Sequence, residues 1–256
     1  MSAIKSFSRK YAPWFLPVSI LLVLVVWQLA AWLGGLPAFI LPSPLLVATR
    51  LWESLLSGVL EYHTFYTLLE VLLGLLLGSS LATITGYALA KSHALERLIS
   101  PYLVATQAIP VVAIAPLLVI WFGPGLFSKV LICALIVFFP VLVNTVVGMR
   151  AVPQNLRDLM GALRASPAQT LRYLEVPAAL PVLLGGLRVG ATLSVIGAVV
   201  GEFVGSDRGL GFLVNVARGQ YDTALVFVAV FTLVALALGL YGLVVLVERK
   251  MLRWNV

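Results

Sequence analysis

Charge is what this sequence has least of. Only 11% of its 256 residues are charged, whereas 61% are hydrophobic, and the mean hydropathy is +1.08. A soluble domain carries about a quarter charged residues, which it needs to cover its water-facing surface. The length instead suits several membrane spans of ~20 residues each. The composition therefore excludes an ordinary soluble domain and predicts a membrane protein.

The residues that build chemical sites are also scarce. Cys133 is the single cysteine, so the chain forms no intrachain disulfide and indicates no redox compartment. His63 and His93 lie far apart, and no cluster of cysteine, histidine and carboxylate residues has metal-ligand spacing. The phosphate-binding motif GxxxxGKS or GxxxxGKT is absent, and no nucleophile–base pair is evident. We therefore expect no catalytic residue, metal or cofactor on this chain.

Six runs with few or no charges are long enough to cross a bilayer. They cover 14–33, 71–90 with a start near Thr64, 98–122, 130–149, 182–204 and 223–247. A backbone exposed to lipid must satisfy its own hydrogen bonds, so the spans are predicted to be helices. Pro110 and Pro116 in the third run predict a bend, or carbonyls that face a cavity. The expected fold is one all-α polytopic membrane domain, 14–248, between short termini, 1–13 and 249–256.

The basic residues predict the orientation. With the N-terminus inside and six alternating spans, most basic residues fall on the cytoplasmic side, as the positive-inside rule requires, and Arg188 lies near a boundary. The inner set is Lys5, Arg9, Lys10, Lys91, Arg97, Arg150, Arg157, Arg164, Arg172, Arg249, Lys250 and Arg253. The outer set is Arg50, Lys129, Arg208 and Arg218. The net charge of +7 is thus assigned to a multi-pass inner-membrane protein with both termini in the cytoplasm, and not to nucleic-acid binding.

Two loops contain amphipathic segments. In the cytoplasmic loop 150–181, "PQNLRDLMGALR" and "AQTLRYLE" predict two short helices around a turn at Ala165, Ser166 and Pro167. The first helix would carry an apolar ridge, formed by Leu156, Leu159, Met160 and Leu163. In the first external loop, 34–63, a further helix with one apolar face is expected to lie on the membrane surface or to pack on the bundle.

Polar residues inside the spans are candidates for the transport pathway. Ionisable groups are costly in a membrane, so Glu70 and Glu202 are functional candidates, although both lie near the end of a span. The neutral candidates Gln107, Asn144 and Ser194 either contact the transported molecule or bond across helices. Small-xxx-small pairs at 74/78, 186/190 and 197/201 predict close helix contacts, with the fifth span central.

The cytoplasmic loop resembles that of the binding-protein-dependent permeases of ABC importers. That pattern begins with an acid and two small residues, has a glycine six residues after the acid, and ends in aliphatic-x-Leu-Pro. Asp158 matches the acid, Leu174 and Val176 the aliphatic positions, and Pro177 the final proline. Arg164 stands at the glycine position, and Leu159 and Met160 replace the small pair. Four stretches on both sides of this pattern, at 108–125, 138–149, 177–190 and 201–214, resemble the nitrate, sulfonate, taurine and vitamin-precursor branch of that family.

The resemblance implies a type I importer permease fold and a set of partners. Such permeases pair, here as a homodimer, and two ATPase subunits bind the cytoplasmic loops. The residues assigned to this coupling are Asp158, Met160, Leu163, Arg164, Ala165, Ser166, Tyr173 and Pro177. ATP and magnesium would be bound by the ATPase partner, and an extracytoplasmic binding protein would deliver the solute.

The expected cargo is a small solute. The stretch "LEVPAALPVLLGGLRVGATLSVIGAVVGEFVG" resembles the vitamin side of this family, which favours riboflavin or a thiamine pyrimidine precursor, with sulfonate, taurine or nitrate as the other candidates. The alternative function is an ATP-independent secondary transporter or channel. That class predicts acids or histidines at mid-span, whereas Glu70 and Glu202 lie near span ends.

Overall fold

A computed structural model describes residues 2–35 and 37–252, with side chains from Pro17 onward. Every regular element in this part of the chain is helical. The helices are α1 (Ser2–Leu33), α2 (Pro44–Leu56), α3 (Val59–Lys91), α4 (His93–Gln107), α5 (Val111–Phe122), α6 (Leu126–Arg150), α7 (Gln154–Ala162), α8 (Pro167–Thr170), α9 (Val176–Val204), α10 (Leu210–Gly219) and α11 (Thr223–Met251). A π-helical turn, Leu171–Glu175, joins α8 to α9.

By length and apolar composition, four helical stretches can cross a membrane: α3, α6, Pro167–Val204 and α11. The bent pair α4 and α5 would make a fifth. The first predicted span, 14–33, falls in α1, where Pro17–Leu33 is a shorter apolar helix. Positions 14–16 lie outside the described side chains, as do Lys5, Arg9 and Lys10; Met1, Leu36 and residues 253–256 lie outside the description altogether.

The third predicted span is not a single straight helix. It breaks between α4 and α5, whose axes differ by 92°. Pro110 is the residue immediately before α5, and its backbone is extended, because its ring fixes φ and it has no N–H to continue α4. Pro116, in contrast, lies within α5. The predicted bend is confirmed, and it is sharper than a proline kink inside one continuous helix.

The fifth span also differs from its prediction. We expected it to begin near Val182, but α9 already begins at Val176 and includes Pro177 and Pro181. In the preceding π turn, the N–H of Val176 bonds to the carbonyl of Leu171, five residues back. This wider turn accommodates Pro177, which has no N–H to donate, so the helix passes from the loop into the span without a break.

Clustering of contacts divides the chain into two units. One unit consists of the residues up to Leu60 together with Val214–Val230. Within it, Trp27 Nε1 donates to the carbonyl of Pro42 at 3.0 Å. The guanidinium of Arg50 lies 2.8 Å from Asp222. The helix predicted within 34–63 is confirmed as α2, and Ser43 caps it by accepting from the N–H of Leu46 at 3.2 Å.

The other unit, Glu61–Leu213 with Phe231–Val256, is built on the packing of α6 against α9. A glycine permits this approach: an added Cβ at Gly197 on α9 would lie 2.8 Å from Cα of Cys133 on α6. Span α3 approaches α6 equally closely, since an added Cβ at Gly78 would lie 2.6 Å from the carbonyl oxygen of Ala134. The predicted close contacts at the three glycine pairs are therefore confirmed. All of them face α6, so α6 shares the central position that was predicted for the fifth span alone.

Candidate functional site

The loop 150–181, which is predicted to be cytoplasmic, folds into the expected pair of short helices. The apolar ridge of α7 and its last turn is largely exposed among the described residues: Leu159 is 53% and Leu163 69% exposed. Tyr173, in the π turn, is 67% exposed, whereas Met160, Ala165 and Pro177 are half-buried. Exposed aliphatic and aromatic side chains grouped on one surface are typical of a protein-binding face.

The turn between α7 and α8 is formed by Arg164 itself. Its φ is +52°, and the N–H groups of Arg164 and Ala165 bond to the carbonyls of Gly161 (2.9 Å) and Met160 (3.0 Å). This is a Schellman ending, in which the left-handed position is usually a glycine. Ser166 then caps α8 through a reciprocal pair of bonds with Gln169. We expected the turn at Ala165, Ser166 and Pro167, but it begins one residue earlier, at Arg164, which adopts the conformation usual for glycine.

A buried ion cluster lies beneath this hairpin. Glu175, the last residue of the π turn, is 1% exposed, and its Oε1 lies 2.5 Å from Nζ of Lys91 and 3.8 Å from Nη1 of Arg157. Nη2 of Arg157 donates to the carbonyl of Met149 at 2.7 Å. Asp158, which matches the acid of the loop pattern, is exposed and accepts from Gln154 at 2.9 Å.

Two of the five pathway candidates share a cavity. Gln107, at the end of α4, and Asn144, on α6, line an open space of about 460 Å³ beside the break between α4 and α5. The other lining residues are Thr106, Ile109, Val111, Leu135, Ile136, Phe139, Pro140 and Val143. All of these side chains are uncharged, so the cavity presents two amides and a hydroxyl on an otherwise apolar wall.

Ser194 lies apart from that cavity. It is fully buried, and its hydroxyl donates to the carbonyl of Ala191 at 2.8 Å within α9. Its own carbonyl accepts from Sγ of Cys133 at 3.4 Å. These contacts give Ser194 a packing role between α6 and α9.

Glu70 and Glu202 meet in a second buried cluster, at the predicted outer ends of α3 and α9. Oε1 of Glu70 lies 3.7 Å from Nζ of Lys129, and Lys129 also donates to Oγ of Ser206 at 2.7 Å. Glu202 accepts from the Thr67 hydroxyl at 2.7 Å and from the N–H of Gly211. The Thr67 oxygen in turn accepts from the N–H of Leu210 at 2.8 Å. The cluster therefore joins three spans to the loop that follows α9.

The loop that follows α9, which is predicted to be external, also carries charged side chains. Arg208 forms an ion pair with the neighbouring Asp207 at 2.9 Å and lies 4.6 Å from the ring centroid of Tyr66. The Arg208 guanidinium holds the pKa of the Asp207 carboxyl below its usual range. Asp207 itself is exposed.

Sequence reasoning missed three members of these clusters: Lys91, Lys129 and Glu175. The two lysines were counted only as topological markers, and Glu175 only as part of a loop helix. Among the described residues, no group of three or more His, Cys, Asp or Glu side chains could hold a metal ion.

Comparison with known proteins gives consistent matches over most of the chain. Residues 71–253 match the family described as binding-protein-dependent transport system inner membrane component. The chain is 53% identical over 240 residues to the riboflavin transport system permease protein RibX of Chloroflexus aurantiacus, covering 94% of this chain and 90% of that protein. It is 35% identical over 235 residues to the formylaminopyrimidine transport permease protein ThiX of Halalkalibacterium halodurans, covering 92% and 93%.

A solved structure is similar in fold. The MetNI methionine ABC transporter, in an inward-facing conformation, matches with a TM-score of 0.62 at 18% identity. The match covers 77% of this chain and 97% of that chain. At this level of identity the similarity concerns the helical architecture alone.

Proposed function

The chain belongs to the family of inner-membrane components of binding-protein-dependent transport systems, and we propose that its cargo is riboflavin. Family membership and the likeness to MetNI confirm the predicted type I permease fold of an ABC importer. The chain is thus a multi-pass membrane permease subunit. The alternative of an ATP-independent secondary transporter or channel is set aside.

The similarity to RibX is the observation that carries the cargo proposal. Identity of 53% over 94% of this chain exceeds the 35% shared with ThiX. The names of both relatives refer to nitrogen heterocycles. Both relatives are therefore consistent with the vitamin side of the family, which the sequence favoured. Riboflavin is the first candidate and a formylated aminopyrimidine the second.

The cavity beside the α4–α5 break supports a neutral, flat cargo. Its volume of about 460 Å³ lies within the usual range for small-molecule sites, which is roughly 300–1,000 Å³. A primary amide offers one donor and one acceptor side by side, which matches the alternating carbonyl and N–H groups of a pyrimidine-dione edge. Gln107 and Asn144 supply two such amides, and Phe139 supplies an aromatic surface. A sulfonate or nitrate ion would instead need a cation or several N–H donors.

The exposed face of the cytoplasmic hairpin is proposed to bind the ATPase. Leu159, Leu163 and Tyr173 provide apolar contacts, and Asp158, Arg164 and Ser166 provide a polar margin. Buried aliphatic and aromatic side chains within a polar rim are the usual composition of an interface. ATP and magnesium would be held by that partner, which leaves this chain without a catalytic role.

The remaining parts of the importer follow from the predicted topology. The loop with Asp207 and Arg208 would face the extracytoplasmic binding protein, and both termini would lie in the cytoplasm. A second copy of this chain would complete the pore. Two identical permease copies would present two identical hairpins, one for each ATPase subunit of a dimer. Such an assembly can be symmetric.

Uptake of riboflavin by a riboflavin-auxotrophic bacterial host tests the cargo. The chain would be expressed with its ATPase and binding protein, and uptake of labelled riboflavin at nanomolar concentration would be measured. We expect uptake that requires all three components and that unlabelled riboflavin abolishes. Competition by a formylated aminopyrimidine but not by riboflavin would transfer the assignment to the second candidate, and competition by taurine or nitrate would refute both.

The ATPase contact has its own test. Leu163→Asp and Tyr173→Asp are expected to abolish co-purification of the ATPase with the permease, since each places a charge in the apolar face. Leu45→Asp, on the equally exposed surface of α2, is the matched control and should leave the complex intact. Retention of the ATPase by both hairpin variants would refute the proposed interface.

A further inference from the structure

Glu175 has an unusual position for a carboxylate on a loop. The hairpin residues before it, 167–174, are mostly exposed, yet Glu175 itself is 1% exposed. It lies at the junction where the hairpin becomes the first turn of α9. A carboxylate is almost never fully buried unless it is paired. Its partners therefore indicate what the burial achieves.

Those partners come from two other parts of the chain. Lys91 is the last residue of α3, and its ammonium lies 2.5 Å from Glu175 Oε1. Arg157 belongs to α7, and its Nη1 lies 3.8 Å from the same oxygen. Because one carboxylate oxygen faces both cations, the hairpin helix α7 and the span α3 are joined through α9.

Arg157 extends the connection to a third span. Its Nη2 donates to the carbonyl of Met149, at the cytoplasmic end of α6, at 2.7 Å. This carbonyl lies in the last turn of a helix, where carbonyls have no intrahelical partner and attract cations. Four elements, α3, α6, α7 and α9, thus converge on Glu175 and Arg157.

We infer that Glu175 is a positioning residue for transport, whose carboxylate fixes the cytoplasmic hairpin to the inner ends of α3 and α6. This rests on the proposed function, in which the ATPase moves the hairpin. Separating Glu175 from its cations would leave a buried charge unpaired, which is strongly unfavourable. The hairpin and the three span ends therefore move as one body when the ATPase pulls on α7.

A neighbouring ion pair provides a contrast. Arg150 at the end of α6 bonds to Glu96 on α4, with a shortest contact of 2.5 Å, and its partner carboxylate is 28% exposed. This pair joins two span ends without a contact to the hairpin. Its loss should remove an ion pair of similar chemistry. The movement of α7 should still be transmitted to the spans.

The test uses the complete importer in lipid nanodiscs and proteoliposomes. For the wild type, Glu175→Gln, Lys91→Met and the control Glu96→Gln, three quantities are measured: complex assembly, ATP hydrolysis, and uptake per ATP hydrolysed. We expect Glu175→Gln to assemble and to hydrolyse ATP, but to lose at least fivefold in uptake per ATP and in stimulation by the loaded binding protein. Lys91→Met should show the same loss, and Glu96→Gln should match the wild type.

A double variant separates transmission from mere stability. If Glu175 and Lys91 act as one unit, Glu175→Gln with Lys91→Met should be no worse than either change alone. Lys91→Arg, which keeps the charge, should restore uptake per ATP. Unchanged uptake per ATP in Glu175→Gln and Lys91→Met, or a loss equal to that in Glu96→Gln, would overturn the inference.

Failure of the underlying function would look different. A wild-type complex that did not bind the ATPase, or that moved solute without ATP, would refute the proposed function whatever the variants did. A wild-type complex with ATP-driven uptake and fully active Glu175 variants would refute only the role of Glu175. If Glu175→Gln failed to fold, Lys91→Met would decide the matter, because Lys91 is 40% exposed and tolerates replacement more readily.

Discussion

The ammonium group of Lys129 lies 3.7 Å from a carboxylate oxygen of Glu70, and both side chains are almost completely buried. The same lysine donates to Ser206, and Glu202 closes the cluster through Thr67 and Gly211. A buried charge persists only when it is paired and hydrogen-bonded. The cluster therefore fastens the predicted outer ends of α3, α6 and α9 to the loop after α9.

Removing the cation from this cluster should be strongly destabilising. Lys129→Met leaves Glu70 and Glu202 buried without a positive partner, and breaking such a pair costs about 3–5 kcal/mol. We expect a large fall in the midpoint temperature of thermal unfolding. Size-exclusion chromatography of the detergent-solubilised protein after heating measures this midpoint. Arg218→Met, at an exposed position of α10, is the matched loss of one cation and should change the midpoint little.

Neutralising both partners should reverse much of that loss. Replacing a buried ion pair by apolar residues of similar size is often neutral, so Lys129→Met with Glu70→Leu is expected to be more stable than Lys129→Met alone. If the double variant were as unstable as Lys129→Met alone, the stabilising partner of Lys129 would not be Glu70.

Close packing of α6 against α9 gives a second prediction. An alanine Cβ at position 197 would lie 2.8 Å from Cα of Cys133, a backbone atom that cannot rotate away. Gly197→Ala is therefore expected to cost about 1–3 kcal/mol through overpacking. Gly185 lies in the same helix with nothing within 4 Å of an added Cβ. Gly185→Ala should gain up to about 1 kcal/mol from helix propensity, and equal effects at the two positions would contradict the packing argument.

The left-handed backbone conformation of Arg164 gives a third prediction. A residue with a Cβ is strained at a φ of +52°, by roughly 1–2 kcal/mol, whereas glycine is not. Arg164→Gly should therefore stabilise the hairpin and slow its cleavage by chymotrypsin near Leu163 and Tyr173. Arg164→Ala removes the charge and keeps the strain, so it serves as the control. Equal protection in both variants would indicate that the guanidinium, and not the backbone, limits stability.

The spans were predictable because uncharged runs leave little choice in a membrane. Thr223–Met251 has no charge until its last turn, and the structure extends the predicted helix by only one turn. The hairpin was predictable in the same way, because proline and serine mark the start of α8. In these segments the local pattern and the tertiary structure agree.

The parts that sequence reasoning missed depend on tertiary contacts. Pro110 indicates a break, but the angle of 92° follows from how α4 and α5 pack on α6. Lys129 was read as an outer basic residue, since nothing local shows that Glu70 and Ser206 come to enclose it. Glu175 is similar, because its partners Lys91 and Arg157 are distant in sequence or on another helix.

The cavity beside the α4–α5 break leads to a prediction about cargo. Gln107→Leu and Asn144→Leu each remove one amide from its wall while nearly preserving side-chain volume. A hydrogen bond within a membrane is worth about 0.6 kcal/mol on average and up to about 1.7. Each variant should therefore lower the apparent affinity for riboflavin by about threefold to 16-fold, since 1.4 kcal/mol corresponds to tenfold. Uptake measured at increasing riboflavin concentrations, with the same total amount of binding protein for each variant, measures this effect.

Asn144 also makes a contact that must be controlled for. Its Nδ2 donates to the carbonyl of Pro140 at 2.8 Å, so the leucine variant loses a bond within α6 as well. Thr145, whose hydroxyl donates to the carbonyl of Val141 at 2.7 Å, is buried and does not line the cavity. Thr145→Val therefore loses the same type of bond without changing the cavity wall. An equal loss of uptake in Thr145→Val and Asn144→Leu would assign the effect to helix stability and would remove Asn144 from the transport pathway.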